Sequence, residues 1–260
     1  MMMLRAAASS HAGRRSNNED AAIADAALGL YAVADGVGGV EGGEIASAIV
    51  VDTLRRFFRR AGADAGTDGG DASRLETAIR MADREIARRR VGDLDRMAST
   101  VAAVRVRGMA ATVAWVGDSR VYLWRDGSLI QLTADHTVAA EMSARGLPMD
   151  AAGRASWGHV LSRAVGTGAT SRPELLSLRL RTGDVLMLCT DGLTDVLDDE
   201  ALARLLPAAI RDANPADRLV AAALEADADD NVTVVLVRVD DDGALFSSER
   251  TVPVRLPSRG

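Results

Sequence analysis

The chain contains no lysine; all 31 of its permanently basic side chains are arginine. That absence excludes a catalytic lysine, a Schiff base and the phosphate-gripping lysine of a Walker loop. Cys189 is the single cysteine, so there is neither an intramolecular disulfide nor a thiolate metal cage. It ends the run Val185-Leu186-Met187-Leu188-Cys189, which reads as a buried strand where cysteine acts as a small hydrophobe, and no Cys-x5-Arg phosphate loop follows it. Aromatic residues are only 3% of the chain, so the core must be built from Ala, Val, Leu and Ile, and stacking of bases or sugars is disfavoured. A formal charge of −6 argues against a nucleic-acid partner. The N-terminal MMMLRAAASS lacks the apolar run of a signal peptide and no stretch approaches transmembrane length, so a cytoplasmic protein with no membrane partner is expected.

What is present is patterned. From Gly43 to about Arg60, Ile45, Ile49, Val50, Leu54, Phe57 and Phe58 recur at helical spacing with arginines opposite; Arg55, Arg56, Arg59 and Arg60 read as a solvated face. A Gly/Asp-rich linker, AGADAGTDGGDA, follows, and Ser73-Arg74-Leu75-Glu76 reads as a capping box opening a second helix. Short β-rich runs occupy Thr100 to Val106, Thr112 to Val116, Val121 to Trp124 and Leu129 to Leu132. Asp126-Gly127 between the last two predicts a tight hairpin. Strands also fit Leu175 to Leu180, Val185 to Cys189 and Val232 to Val239; helices fit Asp199 to Leu206 and a segment capped by Asn214 with Pro215 in its first turn. Antiparallel meanders flanked by helices predict a layered α+β domain over residues 1–240, with a tail over 241–260.

The acidic residues fall where strands stop. Tyr31 to Ala34 runs into Asp35-Gly36, Thr112 to Val116 into Gly117-Asp118, and Leu186 to Thr190 into Asp191, with Asp195 four residues on; Asp230-Asn231 opens a strand. A strand delivers its terminal side chain to a fixed point at a sheet edge, so several such strands can converge carboxylates. Hard divalent cations such as Mg²⁺ or Mn²⁺ offset that repulsion, and a glycine lets a backbone carbonyl approach the ion. One Asp-Gly alone is an ordinary turn. Four acidic sites in one chain are harder to explain as turns, which leaves a metal site as the alternative.

In this order, RSNNED (Arg15 to Asp20), VADGVGGVEGGEIAS, Ser99-Thr100, VGDSRVYLWRDG, LTADH, LSRAVG, GDVLMLCTDGLTD and DNVTVV resemble the metal-dependent protein phosphatases, the PPM or type 2C serine/threonine family in its bacterial form. The resemblance runs from Arg15 to Val239. It implies a four-layer α-β-β-α sandwich of two antiparallel sheets, with two or three Mn²⁺ or Mg²⁺ at one end. Asp35 would bridge two ions with the Gly36 carbonyl, Asp191 and Asp230 would complete one site, and Glu19 would support the other through water. Asp118, Asp191 and Asp195 match a third site, and Asp20 stands beside the ligands. Arg15 would grip the substrate phosphate, as the planar guanidinium fork suits. The implied reaction is attack on phosphorus by a hydroxide bridging two ions about 3.5–4 Å apart.

The sequence departs from the family at Val37, where eukaryotic relatives carry a histidine proposed as general acid. His136 is expected to order the turn after its strand; His11 and His159 receive no role. Residues 137–158 correspond to a mobile flap, in which Trp157 fits either a substrate contact or a core anchor. The implied partners are phosphorylated proteins and a serine/threonine kinase, with the chain acting as a monomer. Two alternatives stand beside this: a phosphatase of anti-sigma-factor antagonists, and a pseudophosphatase binding module. The intact Asp35, Asp191 and Asp230 weigh against the second.

Overall fold

Period-two alternation in the central strands buries both faces of each, and this sets the layers. In a computed structural model, residues 2–61, 70–150, 153, 156–168 and 171–241 are described. One sheet has the order β1 (Met2–His11), β11 (Val232–Asp241), β10 (Val185–Cys189), β7 (Arg120–Arg125), β8 (Ser128–Gln131). The other runs β2 (Asp20–Asp25), β3 (Leu30–Val37), β5 (Val101–Arg107), β6 (Ala110–Val116), β9 (Glu174–Arg179), with the short β4 (Ala98–Ser99) on the end of β3. All the pairings among the described residues are antiparallel.

Leu186 and Leu188 of β10 and Val235 and Val237 of β11 meet Val33, Val104, Val113 and Trp115 between the sheets. The alternate residues Val185, Met187 and Cys189, with Val232, Val234 and Leu236, face α5 (Asp199–Ala209) and α6 (Pro215–Glu225), while the short α3 (Val138–Ala144) lies apart from this core. On the opposite side, Ala32, Ala34, Ala103 and Ala114 give α1 (Gly39–Ala61) and α2 (Gly70–Arg89) room to pack through Ile49, Leu54, Phe58, Ile79 and Ile86. The four-layer α-β-β-α sandwich is therefore the observed architecture. Asp126 and Gly127 carry φ of 52° and 82° between β7 and β8, the left-handed pair that a tight hairpin needs.

Several local expectations are corrected. The first helix begins at Gly39, not Gly43. The second begins at Gly70, so Ser73 lies inside it and no capping box forms; the Ser73 carbonyl accepts from Thr77 Oγ1 at 2.8 Å, and Glu76 faces Arg172 at 3.8 Å. Helix α5 continues through Pro207 to Ala209, with the burial of Leu202, Leu206 and Ala209 outweighing the N–H bond that the proline forfeits. Asn214 precedes α6 without a side-chain cap, while Pro215 sits in the first turn as expected. Ala-rich β1 gave little strand signal and is held by pairing with β11 from Met2↔Asp241 to His11↔Val232. The linker at 62–69 and the tail beyond 241 lie outside the described residues.

One buried ionic cluster joins α1, α2 and the second sheet. Asp71 of α2 lies 3.2 Å from Arg107, 3.7 Å from Arg74 and 3.9 Å from Arg105. The Arg74 and Arg105 guanidinium groups lie over the Phe58 ring at 4.9 and 5.5 Å. Burial pushes the Arg105 pKa down and the Asp71 carboxylate opposes that shift. Asp71→Ala removes the anion these buried cations share and is expected to cost about 3–5 kcal/mol. Urea unfolding measures this; a loss below about 1 kcal/mol, typical of an exposed pair, would show that Asp71 does not anchor them.

Candidate metal centre

In an antiparallel sheet the start of one strand lies beside the end of its neighbour, so both carry side chains to the same edge. Asp20 opens β2 directly opposite Asp35 in β3. Asp118 follows β6, Asp191 follows β10, and Asp230 precedes β11, all at the same end of the sandwich. Asp35 lies two residues inside its strand, because β3 continues to Val37 to pair with β4. Asp191 begins the helical turn α4 (Asp191–Thr194), which Asp195 closes through its N–H to the Asp191 carbonyl at 2.8 Å.

The carboxylates act on one another. The Asp35 carboxyl is held well above the usual carboxylate range, first by burial and then by Asp20, Asp191, Asp118 and Asp230. Burial pushes Asp20 up to about 7, with hydrogen bonds from Thr233 and Thr190 working against it. Asp118 rises to about 8 through burial and then Asp191 and Asp135; Asp191 rises to about 6 through burial and then Asp195 and Asp230. Burial also raises Glu19, with Asp230 adding to the shift and Arg15 opposing it, and raises Asp195, which His159 and Arg120 offset in part.

Neutral side chains fix the acids in place. Thr100 Oγ1 accepts the Asp35 N–H at 2.9 Å and lies 2.7 Å from Ser119 Oγ. Thr190 Oγ1 donates to Asp20 Oδ2 at 2.8 Å and accepts the Thr233 N–H at 3.0 Å, tying the two sheets together. Asn231 accepts the Glu19 N–H at 2.7 Å and donates to the carbonyls of Ala12 and Asn17 at 3.0 and 2.9 Å. Gly36 donates its N–H to the Glu19 carbonyl at 3.1 Å. A Cβ on Gly43 would clash with Glu19 Oε2 and come within 2.5 Å of the Gly36 carbonyl oxygen, so those two oxygens approach one point at the start of α1.

At the rim, Arg15 Nη2 donates to Asp230 Oδ2 at 2.8 Å while 60% of its side chain stays exposed. All the residues singled out in the sequence therefore reach one region: Arg15, Glu19, Asp20, Asp35, Gly36, Asp118, Asp191, Asp195 and Asp230. His136 behaves as expected: Nδ1 accepts the Gly117 N–H at 3.1 Å and Nε2 lies 3.2 Å from Glu174. Trp157 is exposed and anchors no core. Sequence reasoning missed His159, whose Nδ1 lies 3.6 Å from Asp195 Oδ2. It also gave no role to Thr100, Thr190 or Asn231, although each stands beside an acid or a motif in the chain.

The donor set fits a hard divalent cation. It consists chiefly of oxygens, its carboxylates raise one another's proton affinity, and the buried Asp20 Oδ1 has no hydrogen-bond partner.

Comparison with known proteins agrees with the geometry. The family model for protein phosphatase 2C matches residues 8–226. The serine/threonine protein phosphatase PstP of Mycobacterium tuberculosis is 37% identical over 245 residues, 92% of this chain; the chain spans about half of that relative, 46% of its length. A serine/threonine phosphatase of Listeria monocytogenes is 30% identical over 218 residues, covering 81% of this chain and 84% of the relative. The crystal structure of the PstP catalytic domain in complex with 2 manganese ions superposes with a TM-score of 0.79 at 35% identity, covering 93% of this chain and 100% of that one. The converging carboxylates, the four-layer sandwich and these matches have one reading: the chain belongs to the protein phosphatase 2C family.

Proposed function

We propose that this chain is a metal-dependent serine/threonine protein phosphatase that hydrolyses phosphoserine and phosphothreonine in proteins. The observation that carries the proposal is the convergence of Asp20, Asp35, Asp118, Asp191 and Asp230 at one sandwich end, each with its pKa raised or itself raising a neighbour's. Asp35, Asp191, Asp230, Glu19 and the Gly36 carbonyl would hold two Mn²⁺ or Mg²⁺, and Asp118, Asp191 and Asp195 a third. When bound, such ions lower the pKa of water and polarise a phosphoryl group.

The chain's own residues do the rest. Thr190 holds the Asp20 carboxylate, and Thr100 and Asn231 fix the backbone of Asp35 and Glu19, so little reorganisation is needed when a phosphate arrives. Arg15 pairs with Asp230 at the rim and can turn its fork to a phosphate dianion, binding and orienting it. Val37 is at the surface beside Asp35 and carries no proton, so no side chain at that position serves the leaving alkoxide. Similarity to bacterial phosphatases supports phosphorylated proteins as substrates and a serine/threonine kinase as the opposing enzyme. We infer a cytoplasmic monomer; no helix among the described residues is long and apolar enough to cross a membrane.

Hydrolysis of p-nitrophenyl phosphate and of a phosphothreonine peptide should require Mn²⁺ or Mg²⁺ and stop with EDTA; turnover that survives EDTA would sink the proposal. Arg15→Ala should chiefly raise KM, and an unchanged KM at full activity would remove its assigned role. Asp35→Asn should abolish turnover yet raise the melting temperature of the metal-free protein, because it removes one member of a self-repelling cluster. Lower stability together with lost activity would instead mark Asp35 as a folding residue.

The raised pKa values also set a sign for pH. Between about pH 4, the ordinary aspartate value, and about pH 8, the metal-free native state binds more protons than the unfolded chain. Stability of the metal-free protein should therefore rise as pH falls from 8 to 5.5, by up to ~1.4 kcal/mol per pH unit for each coupled proton. Added Mn²⁺ should flatten the trend by taking the protons' place. Thermal melts in EDTA across this range check it, and a melting temperature that drops on acidification would contradict the convergence.

A further inference from the structure

The proposed centre contains one nitrogen donor that the family pattern does not supply. His159 follows the flap segment and is held at its root: the Val138 N–H donates to the Val160 carbonyl at 2.8 Å, Thr137 bridges Leu161, and the Ser162 N–H reaches the His136 carbonyl at 2.9 Å. The backbone next to the imidazole is thus pinned, while 65% of the side chain remains exposed. An exposed histidine ordinarily points to water. This one turns toward α4, and one ligand atom each from His159, Asp191 and Asp195 lie within 4.8 Å of one another. At 3.6 Å, the approach of Nδ1 to Asp195 Oδ2 is too long for a hydrogen bond and leaves the nitrogen lone pair or proton uncommitted.

Ligands about 2.0–2.2 Å from a common ion lie at most about 4.4 Å apart, so a small inward movement of an exposed side chain closes the set. The other histidines are placed elsewhere: His136 is buried between Gly117 and Glu174, and His11 Nδ1 accepts the Gly13 N–H at 2.9 Å.

Resting on the metal-dependent reading above, we propose that His159 is a nitrogen ligand of the accessory site formed with Asp191 and Asp195, and that an ion there ties the root of the flap to α4. An imidazole in the set changes the site's chemistry. Mn²⁺, Zn²⁺ and related transition ions accept nitrogen readily, whereas Mg²⁺ takes an oxygen shell and dehydrates reluctantly. The accessory site should discriminate against Mg²⁺, while the sites around Asp35, built from oxygen alone, should accept either ion. Occupancy would also restrain the segment carrying the exposed Trp157.

The test is Mn²⁺ titration of the full chain, free of any histidine tag, read by pulsed electron paramagnetic resonance and by calorimetry. We expect ¹⁴N modulation from an imidazole in the fully loaded wild-type protein and its loss in His159→Ala. The weakest class of Mn²⁺ sites should weaken by at least the ~10-fold that losing even an outer partner of a metal costs, with the tighter sites unchanged. Excess Mg²⁺ should displace the Mn²⁺ that lacks ¹⁴N modulation before the Mn²⁺ that shows it. Bound Mn²⁺ with no ¹⁴N modulation, or modulation and affinity unchanged in His159→Ala, overturns the proposal and leaves the phosphatase reading standing. No Mn²⁺ binding at all overturns both.

Discussion

Repulsion among carboxylates gathered where water is scarce is the constraint on which the rest of this molecule depends. Asp20, Asp35, Asp118 and Asp191 are each set back from solvent, and each raises the proton affinity of a neighbour or is raised by one. Left to itself the arrangement opposes folding, since every charge is desolvated beside another of its own sign. It persists because the scaffold is stable enough to impose it. Both sheets are buried on both faces, with three hydrophobic cores between four layers, so strand ends have little freedom to splay apart. The strain is held where a divalent cation relieves it.

The antiparallel topology makes the convergence possible from distant parts of the chain. Asp20 and Asp35 are cross-strand partners, and β10 ends where β11 begins, which sets Asp191 near Asp230. These relations are visible in the sequence only as acids next to strand ends, and that signal was enough to find the aspartates. Glu19 precedes and Asp20 opens a strand with weak alternation, and only the ordered family motif drew attention to them. His159 was invisible for a different reason. Its approach to Asp195 depends on where the chain returns after the flap segment, and no periodicity records that return. The starts of α1 and α2 were misplaced because Gly39, Gly42 and Gly70 gave no helical signal.

Close backbone approach also shapes the centre. Gly36 and Gly43 bring the end of β3 and the start of α1 so near that a side chain on Gly43 would fill the space occupied by the Glu19 carboxylate. A glycine in the first turns of α1 thus lets a backbone carbonyl and a carboxylate share a corner. Local propensity and site chemistry conflict there, as they often do where a fold serves function.

The groups that hold the acids are almost all neutral, and electrostatics explains why. A hydroxyl or amide satisfies one carboxylate oxygen and leaves the charge of the group intact, so the cluster keeps its attraction for a cation. Thr190 works this way on Asp20, while Thr100 and Asn231 hold the backbone N–H groups of Asp35 and Glu19 and so position those acids without touching their charge. An arginine in any of these places would neutralise an acid and take the position of the ion. One half-buried candidate, Arg120, is engaged by Asp135 through contacts of 2.7, 3.0 and 3.1 Å and by the Tyr122 hydroxyl at 3.1 Å. Its charge is committed before it can reach Asp118. Arg15 is left as the cation at the rim, where it meets Asp230 but remains largely in water and free to exchange partners. With Arg120 engaged by Asp135 and Arg15 exposed at the mouth, the site keeps its negative field inside and presents positive charge where a phosphate would enter.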